Sequence, residues 1–109
     1  MKSVNLANRD IFFYDRMLMQ IPQGGALVRQ CVFMLPALLQ PGPVLQVTIE
    51  RQGGVGWGTY FGVYDIDVVQ NGPQTEIKIT AQSSTALPVQ GDYYCNLNVI
   101  GTPLTKPAQ

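Results

Sequence analysis

The chain predicts an all-β fold: an antiparallel β-sandwich, jelly-roll-like, of about six to seven strands with an N-terminal arm. Three observations predict it. Val44-Leu45-Gln46-Val47-Thr48-Ile49-Glu50-Arg51, Thr75-Glu76-Ile77-Lys78-Ile79-Thr80-Ala81 and Tyr94-Cys95-Asn96-Leu97-Asn98-Val99 each alternate apolar and polar residues. A period of two puts every second side chain on one face, so each stretch can bury one face and wet the other. Glycine, proline and asparagine clusters punctuate the chain at a spacing of roughly ten residues, as in sandwiches and barrels. No segment carries a convincing helical period.

The elements follow in order. Residues 1–10 read as an extended arm, 11–101 as the sandwich domain and 102–109 as a tail. Ile11 to Ile21 is dense in apolar residues. On a strand, Ile11, Phe13, Met17, Met19 and Ile21 share a face, with Asp15 the exception. On a helix, Ile11, Tyr14, Leu18 and Ile21 would do so. β-Branched and aromatic content, and Pro22 closing the run, favour a strand. Two short strands broken near Asp15-Arg16 also fit. Gln23-Gly24-Gly25 reads as a turn. Ala26 to Leu35 is nearly continuously apolar, as expected of a strand covered on both faces, and Pro36 ends it. Gln40-Pro41-Gly42-Pro43 is a turn, because proline fixes φ and glycine supplies positive φ. Strand Val44–Arg51 follows, then the glycine-rich Gln52–Thr59 with the only tryptophan, Trp57. Tyr60 to Val69 reads as a strand with Tyr64, Ile66 and Val68 on one face and Asp65 and Asp67 on the other. Asn71-Gly72 starts a turn that Pro73 complicates. Strand Thr75–Ala81 returns, Gln82–Gln90 loops, and Tyr93–Ile100 is the last strand.

Composition limits the function classes. The 109 residues include no histidine, so the commonest general base, metal ligand and pH switch is missing. Only 13% are charged, against about 25% in ordinary globular proteins. Such a surface favours packing against other protein. Seven basic residues balance seven acidic ones and are scattered, which disfavours nucleic acid and anionic membrane as partners. We expect no secretory signal in Met1–Leu6. Leu27–Leu39 is too short and too interrupted to span a bilayer. Cys31 and Cys95 are expected as two buried free thiols, with a disulfide open to them in an oxidising compartment. They form no standard metal site.

No constellation supports catalysis or a cofactor. Asp65 and Asp67 share a strand face, but one strand does not set two carboxyls across a cleft, and no oxygen-rich loop completes a calcium site. A solvated outer face is the simpler reading. Gly53-Gly54-Val55-Gly56-Trp57-Gly58 lacks the Lys-Ser/Thr and the helix of a phosphate loop. It reads as a hairpin loop, or as a loop whose Trp57 anchors a neighbouring protein. Tyr60, Phe61, Tyr64, Tyr93 and Tyr94 suit core packing and interfaces, and secondarily sugar stacking. Ser3, Ser83, Ser84 and Cys95 have no histidine to activate them. The apolar start Ile11-Phe12-Phe13 is expected to dock, on its own core or on a partner. The candidate partner-contact residues are Ile11, Phe12, Phe13, Trp57 and Tyr60.

With its low charge, its Gly/Pro/Gln-rich turns, its apolar arms and a start at its own Met1, the chain resembles the cement, or decoration, proteins of tailed-bacteriophage capsids. The resemblance lies in overall style over most of the chain. It implies a β-sandwich virion protein on the capsid exterior, made in the host cytoplasm. Its partners would be the major capsid protein and further copies of itself, as a dimer or trimer. More locally, Val44–Ile49, Tyr64–Val69, Thr75–Ala81 and the closing Tyr94-Cys95-Asn96-Leu97-Asn98-Val99-Ile100-Gly101 are similar to the H-type lectin layout of phage tail tips and adhesins. That family would imply a trimeric sugar-binding sandwich. The chain departs from it in the final strand, where Asn98 and Val99 stand in place of the expected aromatic, so no binding residues carry over.

Overall fold

The computed structural model describes residues 1–26, 28–51, 61–83 and 89–104. Among them the fold is an antiparallel β-sandwich of seven strands, with no α-helix. The strands are β1 (Lys2–Asn5), β2 (Ile11–Ala26), β3 (Val28–Leu35), β4 (Val44–Arg51), β5 (Phe61–Asn71), β6 (Gln74–Ser83) and β7 (Val89–Gly101). One sheet has the order β1-β2-β7-β4, the other β3-β6-β5. The chain crosses between sheets after β2, β3, β4 and β6, so sequence neighbours repeatedly face each other across the core.

Register makes the alternation into a core. In the four-stranded sheet, Phe13 and Leu45 flank Val99, Met17 and Ile49 flank Cys95, and Met19 pairs with Tyr93. All of these point inward. In the three-stranded sheet, Cys31 pairs with Ile79 and Phe33 with Ile77. Ile66 and Val68 of β5 face the same two isoleucines. Leu35, Ile77, Cys95, Leu97 and Val99 have no accessible surface. Burying a side chain of that size stabilises by ~1.5–3 kcal/mol, so the two inner faces account for the fold's cohesion.

Several local readings are corrected. Gln23-Gly24-Gly25 is no turn: β2 runs on to Ala26, and its register with β7 shifts between Ile21 and Ala26. Pro22 sits in this irregular stretch, the kind of place where strands tolerate proline. The irregularity lets the chain pass from one sheet directly to the other, since Val28 already pairs with Gln82. Nor is β3 covered on both faces. It is an edge strand whose outer face is bare, leaving Val28 and Val32 exposed. Tyr64 does not share a face with Ile66 and Val68. The register slips between Val63 and Asp65, and the extra residue, Tyr64, is 70% exposed. In a finding that overturns none of these readings, Lys2–Asn5 within residues 1–10 pair with Ile11–Tyr14 across a 3-10 turn at Ala7–Arg9.

Two turns show their chemistry. Asn71 pairs with Gln74 around a two-residue loop. Gly72 has φ +62° at the first central position, and proline's fixed negative φ suits the second. At one end of the sandwich the segment after β3 is clamped to the end of the chain. Gln40 N–H donates to the Thr102 carbonyl and Leu104 N–H to that of Leu38, both at 2.8 Å. The Thr75 hydroxyl donates to the Ala37 carbonyl at 2.7 Å. Leu39 is thereby pressed onto Gly101, where a Cβ would lie 2.9 Å from a Leu39 methyl.

Two outcomes follow. Leu97→Ala, on a central strand with nowhere to collapse, should lose about 3 kcal/mol in urea unfolding, while Gln46→Ala on the outer face should lose less than about 0.5 kcal/mol. Gly101→Ala should cost about 1–2 kcal/mol through overpacking against Leu39. A relieving Leu39→Ala in the same chain should then cost less than the two changes summed, and strict additivity would refute the contact.

Candidate contact surface

The outer face of the four-stranded sheet carries the feature of interest. Val4 pairs with Phe12, Phe12 with Ile100, and Ile100 with Val44. Register thus aligns four apolar side chains in one row across all four strands. Val4 is 47% exposed, Ile100 40% and Val44 65%, while Phe12 is half-buried. The Phe12 ring stacks on that of Tyr14, with centroids 5.3 Å apart. The pair lies at i, i+2 on one strand, which puts both rings on this face.

Beside the apolar row the same face turns polar. Tyr14 pairs with Lys2 and Asn98, Asn98 with Gln46, and Asn96 with Arg16 and Thr48. Arg16 donates to the Glu50 carboxylate at 2.7 Å and lies 3.7 Å above the centre of the Tyr94 ring. The Asn96 amide donates to the Thr48 hydroxyl at 3.3 Å. Met1, Lys2, Tyr14, Asp15, Arg16, Asn96 and Asn98 line an open depression of about 490 Å³. The Met1 ammonium lies 3.6 Å from the Asp15 carboxylate. Asp15, whose position in β2 otherwise belongs to the apolar face, also accepts from the Arg16 backbone N–H at 2.8 Å. The depression offers amide, hydroxyl and guanidinium donors next to aromatic faces. Among the described residues that line it there is no serine or cysteine.

The sequence-predicted contact residues separate. Phe12 faces outward in the apolar row. Phe13 is 2% exposed and serves the core, and Ile11 packs against that core. Trp57 and Tyr60 lie outside the described residues. Tyr93 is buried and its hydroxyl accepts from Arg51 at 2.7 Å, whereas Tyr94 lies under Arg16. Asp65 and Asp67 stand on the outer face of the other sheet, opposite Thr80 and Lys78. No group of acidic or cysteine side chains able to hold a metal occurs among the described residues. Sequence reasoning missed Val4, Val44 and Ile100 as partners of Phe12. Each looks like an ordinary strand or arm residue until the non-local register is known. The chain matches no protein-family model, no curated protein and no solved structure.

The Arg16–Glu50 pair is exposed on both sides, so its coupling should stay below about 1 kcal/mol. A double-mutant cycle with Arg16→Ala and Glu50→Ala measures it, and a value well above that would mean the face is more rigid than an open surface.

Proposed function

We propose that this chain is a structural virion protein, a capsid cement protein that binds the outer capsid surface and stabilises contacts between major capsid subunits. The observation that carries the reading is the Val4–Phe12–Ile100–Val44 row, with the bare apolar outer face of β3 in support. Scattered exposed apolar side chains are ordinary, but a register-aligned row on a charge-poor surface is what the core of a protein interface looks like. At about 25 cal/mol per Å² of apolar area, one such row gives modest affinity. Many copies on a repeating shell make modest affinity sufficient. No step of this function needs a catalytic group or a cofactor.

The test mixes the purified chain with capsids lacking it and follows co-sedimentation and capsid heat resistance. Saturable binding in fixed stoichiometry, with a more heat-resistant particle, is expected. Val4→Asp with Val44→Asp should reduce binding by at least about tenfold, because charge desolvated at an interface centre is costly. The same variant should keep its melting temperature within a few degrees, since both side chains are exposed.

The polar depression favours a second reading, a carbohydrate-binding module of a phage tail or adhesin. Asn96, Asn98, Arg16 and Lys2 beside Tyr14 suit sugar hydroxyls and a stacked sugar ring. Glycan binding lost in Asn98→Ala, together with indifference to capsids, would replace the cement reading with this one.

A further inference from the structure

The loop between β1 and β2 is under backbone strain. Asn8 has φ 61° and Arg9 φ 69°, the only non-glycine residues in the left-handed region among the described ones. The Asp10 N–H donates to the Ala7 carbonyl at 3.4 Å, which closes a turn with Asn8 and Arg9 at its two central positions. Positive φ at both is the sign pattern of a type I′ turn, for which Asn-Gly is the preferred pair. Asn8 suits it. Arg9 stands where glycine belongs, and its Cβ makes the conformation unfavourable. The strand that this loop holds is an edge strand. β1 is bonded only to β2, and all four of its residues are exposed. β2 is held on its other side by β7, and the Thr102 hydroxyl donates to the Asp10 carboxylate at 2.5 Å. Local opening is cheapest at an edge, so it frees β1 and the loop and stops at Asp10.

Register says where a freed β1 can go. Lys2 pairs with Tyr14, Ser3 with Phe13, Val4 with Phe12 and Asn5 with Ile11, a ladder symmetric about Asn8. With the loop straightened, β1 and β2 become one strand. Two such strands, from two copies, pair antiparallel through the same residues with no change of register. Leu6 then faces Asp10 of the other copy, and Asn8 faces its own counterpart on a two-fold axis. We infer that β1 is an exchangeable strand whose partner is a second copy of this chain: two copies open the Ala7–Arg9 turn, and each lays its β1 along β2 of the other. Exchange costs little, because every β1 contact is reproduced between copies while Asn8 and Arg9 return to extended backbone. The loss of translational and rotational freedom opposes it, so the dimer rises with concentration. In the exchanged dimer each Val4–Phe12–Ile100–Val44 row takes its Val4 from the other copy. The inference does not depend on the proposed function.

The experiment unfolds the full chain in urea, refolds it at low and at high protein concentration, and sizes the products by gel filtration with light scattering. Expected is a monomer from dilute refolding and an added dimer from concentrated refolding that reverts slowly on dilution. The same is done with Lys2→Cys and Tyr14→Cys together, two positions that face each other across β1 and β2. After refolding, the separated dimer is oxidised, then denatured without reductant. Exchanged strands give covalent dimers, and the monomer fraction gives chains closed on themselves. The unaltered chain, treated alike, should give no covalent dimer. Arg9→Gly, which eases the closed turn, should lower the dimer fraction at fixed concentration by at least about threefold. Asn8→Val with Arg9→Val should raise it, since β-branched residues resist positive φ and favour extended backbone. Both positions are exposed, so neither change touches the core. Three results would each overturn the inference: no dimer from the unaltered chain or the double-valine variant after concentrated refolding, a dimer cross-linked only within single chains, or a dimer fraction indifferent to Arg9→Gly.

Discussion

The constraint on which the structure depends is the burial of β7. Its inward residues Tyr93, Cys95, Leu97 and Val99 are all 0–1% exposed. β7 pairs along its length with β2 on one side and with β4 on the other. A central strand buried on one face fixes its register strongly, because a slip of one residue would send all four side chains to water. That register then decides what the other face presents. Asn96, Asn98 and Ile100 are outward only because Cys95, Leu97 and Val99 are inward. The apolar row and the polar depression are therefore consequences of core packing.

The same dependence explains what could be read from the chain and what could not. Alternation in Val44–Arg51, Thr75–Ala81 and Tyr94–Val99 reports burial directly, so these strands and their inward residues are legible. Places where the period breaks are not. The irregularity after Ile21 looks like a turn because Pro22, Gly24 and Gly25 are turn residues anywhere. Only pairing of Ala26 with Val89 and of Val28 with Gln82 reveals a strand changing sheets. Tyr64 fails for a similar reason, since a bulge inverts the alternation without any compositional mark. The apolar run Ala26–Leu35 suggests two covered faces, but apolarity alone does not say what does the covering.

The candidate contact surface was less legible than the fold. Phe12 stands out by its neighbours Ile11 and Phe13, yet the three divide between faces as any strand must. The residues that join Phe12 in a row, Val4, Val44 and Ile100, come from both ends and the middle of the chain. Local sequence cannot join them. They become one surface only through three antiparallel registers, each set by inward residues that do not touch the row.

Closure of the sandwich is unequal, and this bears on how its surface is used. On the β2–β3 side the inner residues Phe13, Met19, Cys31, Phe33 and Leu35 are buried, and only Ile11 and Met17 are partly so. There one strand leads almost directly into the next and draws the two sheets together. On the β4–β5 side Leu45, Val47, Ile49 and Ile66 are only partly buried, and Val63 and Val68 are exposed to 38% and 41% although they point inward. Among the described residues both β4 and β5 are edge strands, with no further strand paired to their outer sides. Charge on an edge discourages strand addition, and Glu50 and Arg51 lie on β4, Asp65 and Asp67 on β5. The open side therefore combines apolar inner surface with charged edges, whereas the Val4–Phe12–Ile100–Val44 row has no charge among its four members. Between the open side and the row, the row is the surface that can be covered without desolvating a charge of its own members.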